Sequence, residues 1–117
     1  MTRDELMVLH KELNDLGVEI MRAKNHDYAG DDGETPFANF EACEKLGICS
    51  TETGMLVRMC DKFMRLINLV KCGKLAVKGE SRTDTVVDHR NYLLLFEALC
   101  QSKEKKDGRN DDPPGRR

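Results

Sequence analysis

The 117-residue sequence has no tryptophan, only three prolines, and no stretch that approaches the ~20 consecutive apolar residues of a membrane span. Basic residues are not in excess: Lys and Arg number 19 against 21 Asp and Glu, a formal net charge of -2. Nucleic acid is therefore not an expected partner, since general binding to its backbone needs a basic surface. The five cysteines, Cys43, Cys49, Cys60, Cys72 and Cys100, are odd in number and include neither a CxxC pair nor a Cys/His spacing of zinc type. They read as reduced thiols, mostly filling a core. There is also no P-loop, no Gly-x-Gly-x-x-Gly and no Ser or Cys nucleophile in a recognisable setting. The opening residues Met1 to Glu5 are charged where a secretion signal would be apolar, so the expected compartment is the cytoplasm, with no membrane partner.

What is present favours helices with wet outer faces: 39% hydrophobic residues are interleaved with 34% charged ones. Thr2 and Glu5 form a capping-box pattern ahead of Leu6, Leu9, Leu13, Leu16 and Ile20, which predicts a helix over about 3–24. A Gly- and Asp-rich loop from Ala29 to Pro36, long enough for a lid, precedes a short helix marked by Phe37, Phe40, Cys43 and Leu46 and ended by Gly47. Ser50 or Thr51 caps a third helix whose stripe is Leu56, Met59, Cys60, Phe63, Ile67 and Val70, with Gly73 as its stop. Ser81 and Asp84 repeat the capping pattern for a last helix over about 82–102. Residues 103–117 are almost wholly charged and read as a disordered tail. The expected fold is all-α, one domain over residues 1–102, an antiparallel helical bundle of three long helices and a short one. The last helix is apolar on two sides, with Val86, Leu93 and Cys100 opposite Leu95, Ala98 and Leu99, which predicts a homo-oligomer.

Three clusters could carry chemistry. Glu80, Asp84, Asp88 and Asn91 fall within about 80° of one helix face, and that azimuth continues into Leu95, Ala98 and Leu99, so the acids prolong an inward stripe. Like charges one turn apart repel, and a divalent cation would offset them. Helix-dipole stabilisation accounts for Glu80 and Asp84 but not for Asp88 in the second turn. On the third helix, Arg58, Asp61, Lys62, Arg65 and Asn68 lie opposite the apolar stripe. They are either a solvated face or a set in which cations neutralise phosphate oxygens and Asp61 supplies a metal carboxylate. The third cluster, Lys24-Asn25-His26-Asp27-Tyr28, is weak evidence by itself, being ordinary material for a helix end.

Taken in order, Lys24-Asn25-His26-Asp27-Tyr28, Phe37-Ala38-Asn39-Phe40, Arg58-Met59-Cys60-Asp61-Lys62-Phe63-Met64-Arg65-Leu66, and Glu80 with Asp84-Thr85, Asp88 and Asn91-Tyr92 are a recognisable series. It resembles the first nucleotide-modification-associated domain family, small helical proteins of phages and bacteria, over roughly residues 5–100. That resemblance implies a role in nucleotide metabolism or DNA-base modification, in a host cytoplasm if the chain is phage-encoded. More distantly, the acidic helix is similar to that of the MazG-like all-α nucleotide pyrophosphatases, whose carboxylates hold Mg²⁺ that binds phosphate and activates water. The chain departs from that pattern where the partner helix should carry Glu-Glu-x-x-Glu, since Asp61 stands there among basic residues.

The enzyme reading is a Mg²⁺-dependent (deoxy)nucleoside triphosphate pyrophosphohydrolase. Asp61, Glu80, Asp84 and Asp88 would hold the metal, with Asp84 and Asp88 as the catalytic pair. Lys24, Lys62 and Arg65 would hold phosphates, Tyr28 or Tyr92 would stack on the base, and Asp27, Arg58 and Asn91 would complete the substrate contacts. The alternatives are a non-catalytic module that captures a nucleotide or nucleotide-derived signal, and a helical adaptor for a base-modifying enzyme.

Overall fold

In the computed structural model the described residues are 1–29, with side chains through Lys24, then 35–74 and 81–108. They form four helices: α1 (Arg3–Ala29), α2 (Ala38–Lys45), α3 (Thr51–Cys72) and α4 (Arg82–Lys106). No strand occurs among the described residues, and the all-α expectation holds. No described helix is long and apolar enough to cross a membrane.

The ends of the helices follow local chemistry. Thr2 and Glu5 satisfy each other's backbone amides at 2.7 and 3.1 Å. Ser50 caps α3 by accepting from the Thr53 amide at 3.1 Å, and Gly73 ends that helix with φ +77°, a left-handed conformation that glycine adopts without a Cβ clash. Ser81 and Asp84 form the expected reciprocal capping box on α4. Two helices outrun the expected ends. α1 continues to Ala29, five residues beyond its expected end, so Lys24 to Tyr28 lie in the last turns of the helix. α4 continues to Lys106, and Lys103 pairs with Glu52 of α3 at 2.6 Å, so the first residues of the expected tail belong to the fold. The expected lid from Ala29 to Pro36 falls mostly on residues 30–34, outside the described residues, as do residues 109–117.

The core is small. Phe37 and Phe40 from α2 and its entry, Met55 from α3 and Leu99 from α4 are closed off from solvent, with Tyr92, Leu95, Phe96 and Ala98 packed around them. Burying each such side chain stabilises the fold by roughly 1.5–3 kcal/mol. α3 and α4 run antiparallel, a register fixed by Lys103 on Glu52 at one end and by Phe63 against His89 farther along. α1 comes close to α4 at Gly17, whose carbonyl accepts from the Asn91 amide at 3.1 Å.

The orientation of α3 differs from the one its apolar spacing predicts. Of that stripe Met59 and Ile67 are half-buried but Leu56, Cys60, Phe63 and Val70 are exposed, whereas the face carrying Met55, Arg58, Lys62, Leu66 and Leu69 is buried or half-buried. The charged members of that inner face have partners that offset their desolvation: Arg58 lies 4.9 Å from the Phe40 ring centroid and Lys62 meets a carboxylate of α4. The thiols are all free, but Cys60 and Cys72 are exposed and the other three half-buried, so they are not the core filler that their type suggests.

Candidate functional site

Asp88 sits one turn beyond the capping box of α4, too far along for the free amides of the helix start to satisfy it. Two ammonium groups do so instead. Lys24 of α1 reaches Oδ1 at 3.0 Å and Lys62 of α3 reaches Oδ2 at 3.2 Å. The Asp88 and Lys62 side chains are each only 14% exposed, while Lys24 is 40% exposed. A single carboxylate therefore ties three helices together through two ammonium groups. In such a partly water-excluded place, charge-assisted contacts are stronger than on an open surface.

Beside this triad lies a small cleft of about 30 Å³ between α1, α2 and α4. Met21, Pro36, Phe40 and Leu95 make its apolar walls, and Lys24, Asp88 and Asn91 its polar end. Tyr92 forms the remaining side, its ring edge-on to Phe40 with centroids 5.9 Å apart and planes at 82°. That edge-on contact restrains both aromatic rings, and the Arg58 guanidinium lies over Phe40 at 4.9 Å from its centroid. A cleft with aromatic and aliphatic walls and a few convergent polar groups at one end suits a planar ligand bearing an anionic group.

The expected site residues divide. Lys24, Lys62, Asp88, Asn91 and Tyr92 come together at the cleft or its rim, and Arg58 reaches it through Phe40. Asp84 does not. It is exposed, and the Ser81 amide and hydroxyl hold its carboxyl below its ordinary value as part of the cap. Asp61 is exposed and pairs along its own helix with Arg65 at 3.3 Å. Glu80 and the side chains of Asp27 and Tyr28 lie outside the described residues. The acids that are described thus take separate partners, and no three His, Cys, Asp or Glu side chains converge as a metal site among the described residues. Lys24 and Lys62 were expected at the phosphates, but that both close on Asp88 was not legible from spacing, because a carboxylate's partners on other helices leave no periodic signal.

Four further residues of the site were not singled out as such from sequence: Met21, Pro36, Phe40 and Leu95. Phe40 was legible only as core. Gly17 carried a signal that could have been used, because a glycine inside a helix costs about 1 kcal/mol and marks a close approach. Comparison of the chain with protein-family models, with curated proteins and with solved structures found no match in any of the three.

Proposed function

We propose that the chain binds a nucleotide, with the base entering the cleft between Phe40, Tyr92, Met21 and Leu95, which widens to admit it, and the phosphates at the Lys24 and Lys62 ammonium groups. The observation that carries this reading is the apolar, aromatic-walled cleft that ends on one carboxylate held between two lysines. Asn91 supplies a fixed amide at the cleft's polar end, and Arg58 adds positive charge behind Phe40. A phosphate can replace the Asp88 carboxylate in its contacts with the lysines, or join it with a cation between them. The resemblance to the nucleotide-modification-associated family supports the same ligand class and a role in phage or bacterial nucleotide metabolism or DNA-base modification.

Between capture and hydrolysis, the site favours capture. Asp61 and Asp84 are committed to Arg65 and to the α4 cap, which leaves Asp88 as the acid beside the cleft among the described residues. Mg²⁺ enters this reading chiefly as the ion that accompanies a triphosphate, which typically needs only one or two protein carboxylates. The two-sided apolar pattern of α4, with Leu95, Ala98 and Leu99 in or against the core and Leu93 exposed on the other side, supports, in addition, a homo-oligomer. A panel of ribo- and deoxynucleotides, titrated calorimetrically with and without Mg²⁺ while pyrophosphate release is followed, tests the function. Saturable binding without turnover is the expected result; pyrophosphate release would assign the pyrophosphohydrolase instead, and no binding across the panel would overturn the nucleotide site and leave the adaptor.

A further inference from the structure

The outer side of α3 has its own regularity. Leu56, Cys60, Phe63 and Val70, all exposed, and the half-buried Ile67 are spaced 4, 3, 4 and 3 residues apart. That is the strict 3.5-residue repeat of a coiled-coil seam, narrower than the stripe of a helix buried in its own domain. The seam lies roughly 100° round the helix from the inner face of Met55, Lys62 and Leu66. Leu56, Phe63 and Val70 are 45%, 56% and 85% exposed, and Val57 and Met64 beside them are 63% and 51% exposed. The Phe63–His89 ring contact sets α4 along one margin of this face, and Leu93, one turn beyond His89, extends it with 49% exposure.

We propose that this face is covered by a second copy of the same chain, α3 packing antiparallel on α3 across a two-fold axis near Phe63. Three observations select that occupant. From their fractional exposures, Leu56, Val57, Phe63, Met64, Val70 and Leu93 leave on the order of 700 Å² uncovered per chain, close to the ~800 Å² that each partner buries in a stable interface of standard size. The seam positions carry no charge, so a charged partner would gain nothing there, while a two-fold copy meets no like charge. Lys71 stands at one end of the exposed face, so a parallel pairing would bring it toward its own copy and an antiparallel pairing separates the two. A 14-residue seam is about 21 Å long, enough for two heptads. This inference rests on the self-association proposed for the chain and is independent of the nucleotide site.

Sedimentation and light scattering of the full chain, under reducing conditions, test it. The wild type is expected at twice the 13.3 kDa chain mass at about 100 µM, and Val70→Glu or Phe63→Glu at the single-chain mass with helical circular dichroism retained. A carboxylate buried in the seam should weaken dimerisation about a hundredfold or more. Val70 is so exposed that its substitution removes nothing from the chain's own packing, which keeps the test valid should Phe63→Glu fail to fold. Leu6→Glu, on the exposed part of α1, serves as the control and should remain dimeric. A monomeric wild type overturns both self-association and the seam. A dimer that survives Val70→Glu and dissociates with Leu6→Glu overturns the seam and leaves self-association standing.

Discussion

Lys62 and Asp88 face each other across α3 and α4 at 3.2 Å, both nearly closed off from solvent, with Lys24 completing the contact from α1. The spacing of acids along α4 alone predicts that neutralising Asp88 relieves repulsion. The two ammonium groups reverse that sign. Asp88→Asn is expected to cost about 2 kcal/mol, between a charged hydrogen bond and a fully buried ion pair. Chemical denaturation should show this loss, and saturating inorganic phosphate should restore more stability to the variant than to the wild type. Unchanged stability would show that the lysines gain nothing from the carboxylate.

Gly17 is where the backbone of α1 meets the Asn91 side chain of α4. A Cβ built there would stand 2.9 Å from the Asn91 Oδ1, at the end of a side chain that can rotate away. For Gly17→Ala, the gain in helix propensity of about 1 kcal/mol offsets the lost Asn91 hydrogen bond of similar size. Stability should therefore change by less than ~1 kcal/mol, whereas nucleotide affinity should fall about tenfold because Asn91 leaves the cleft. Calorimetric titration alongside a melting curve separates the two effects, and unchanged affinity would remove Asn91 from the site.

The fold should lose stability on acidification through identifiable groups. Lys103 holds Glu52 below the ordinary carboxylate range, and Ser81 does the same for Asp84. With folded values depressed, the unfolded chain binds protons first, so their contribution is complete above the ordinary carboxylate range, from about pH 5 upward, and disappears as pH falls through the lower folded values. The Lys103 value is raised by the same pair, so its share persists at neutral pH and is lost only above about pH 10. Both partners are about a third or more exposed, which limits the pair to about 1 kcal/mol. Melting temperatures from pH 7 to 3 for the wild type and Glu52→Gln should converge at the acid end; parallel curves would rule the pair out as a source.

Where the chain is cut near its C-terminus should matter within a few residues. Ending it after Gly108 keeps Lys103 on Glu52 and the last turn of α4; ending it after Ser102 removes both. The first truncation should melt with the full chain and the second several degrees lower, since about 1 kcal/mol shifts a domain of this size by roughly 4–8 °C. Equal melting of the two would mean that the Glu52 contact contributes nothing.

Helix existence, caps and stops were legible in the sequence because each is a local event: Ser50, Gly73 and the Ser81 with Asp84 pair act within a turn of themselves. The facing of α3 was not. Its apolar stripe is the stronger pattern, and only tertiary partners, Phe40 for Arg58 and Asp88 for Lys62, let the charged side turn inward. For the same reason the site was half legible. Asp88, Asn91 and Tyr92 share an azimuth on one helix and could be grouped by counting, while Asp84 was grouped with them although its carboxylate turns back to the cap. Met21, Phe40 and Gly17 join them only through the way three helices cross.

Among the described residues, the apolar side chains closed off from water are Phe37, Phe40, Met55, Val87 and Leu99, and four of the five, all but Val87, belong to one cluster, of which Phe40 lines the cleft. A fold with so thin an interior has little reserve of its own, so whatever occupies the cleft adds a large fraction to it. A ligand at a hundred times its dissociation constant contributes about 2.7 kcal/mol, which for a chain of this length raises the melting point by roughly 10 °C or more. The protein is thus its own detector: thermal-shift screening of crude metabolite fractions would report the physiological ligand directly, before any reaction catalysed by the chain need be known.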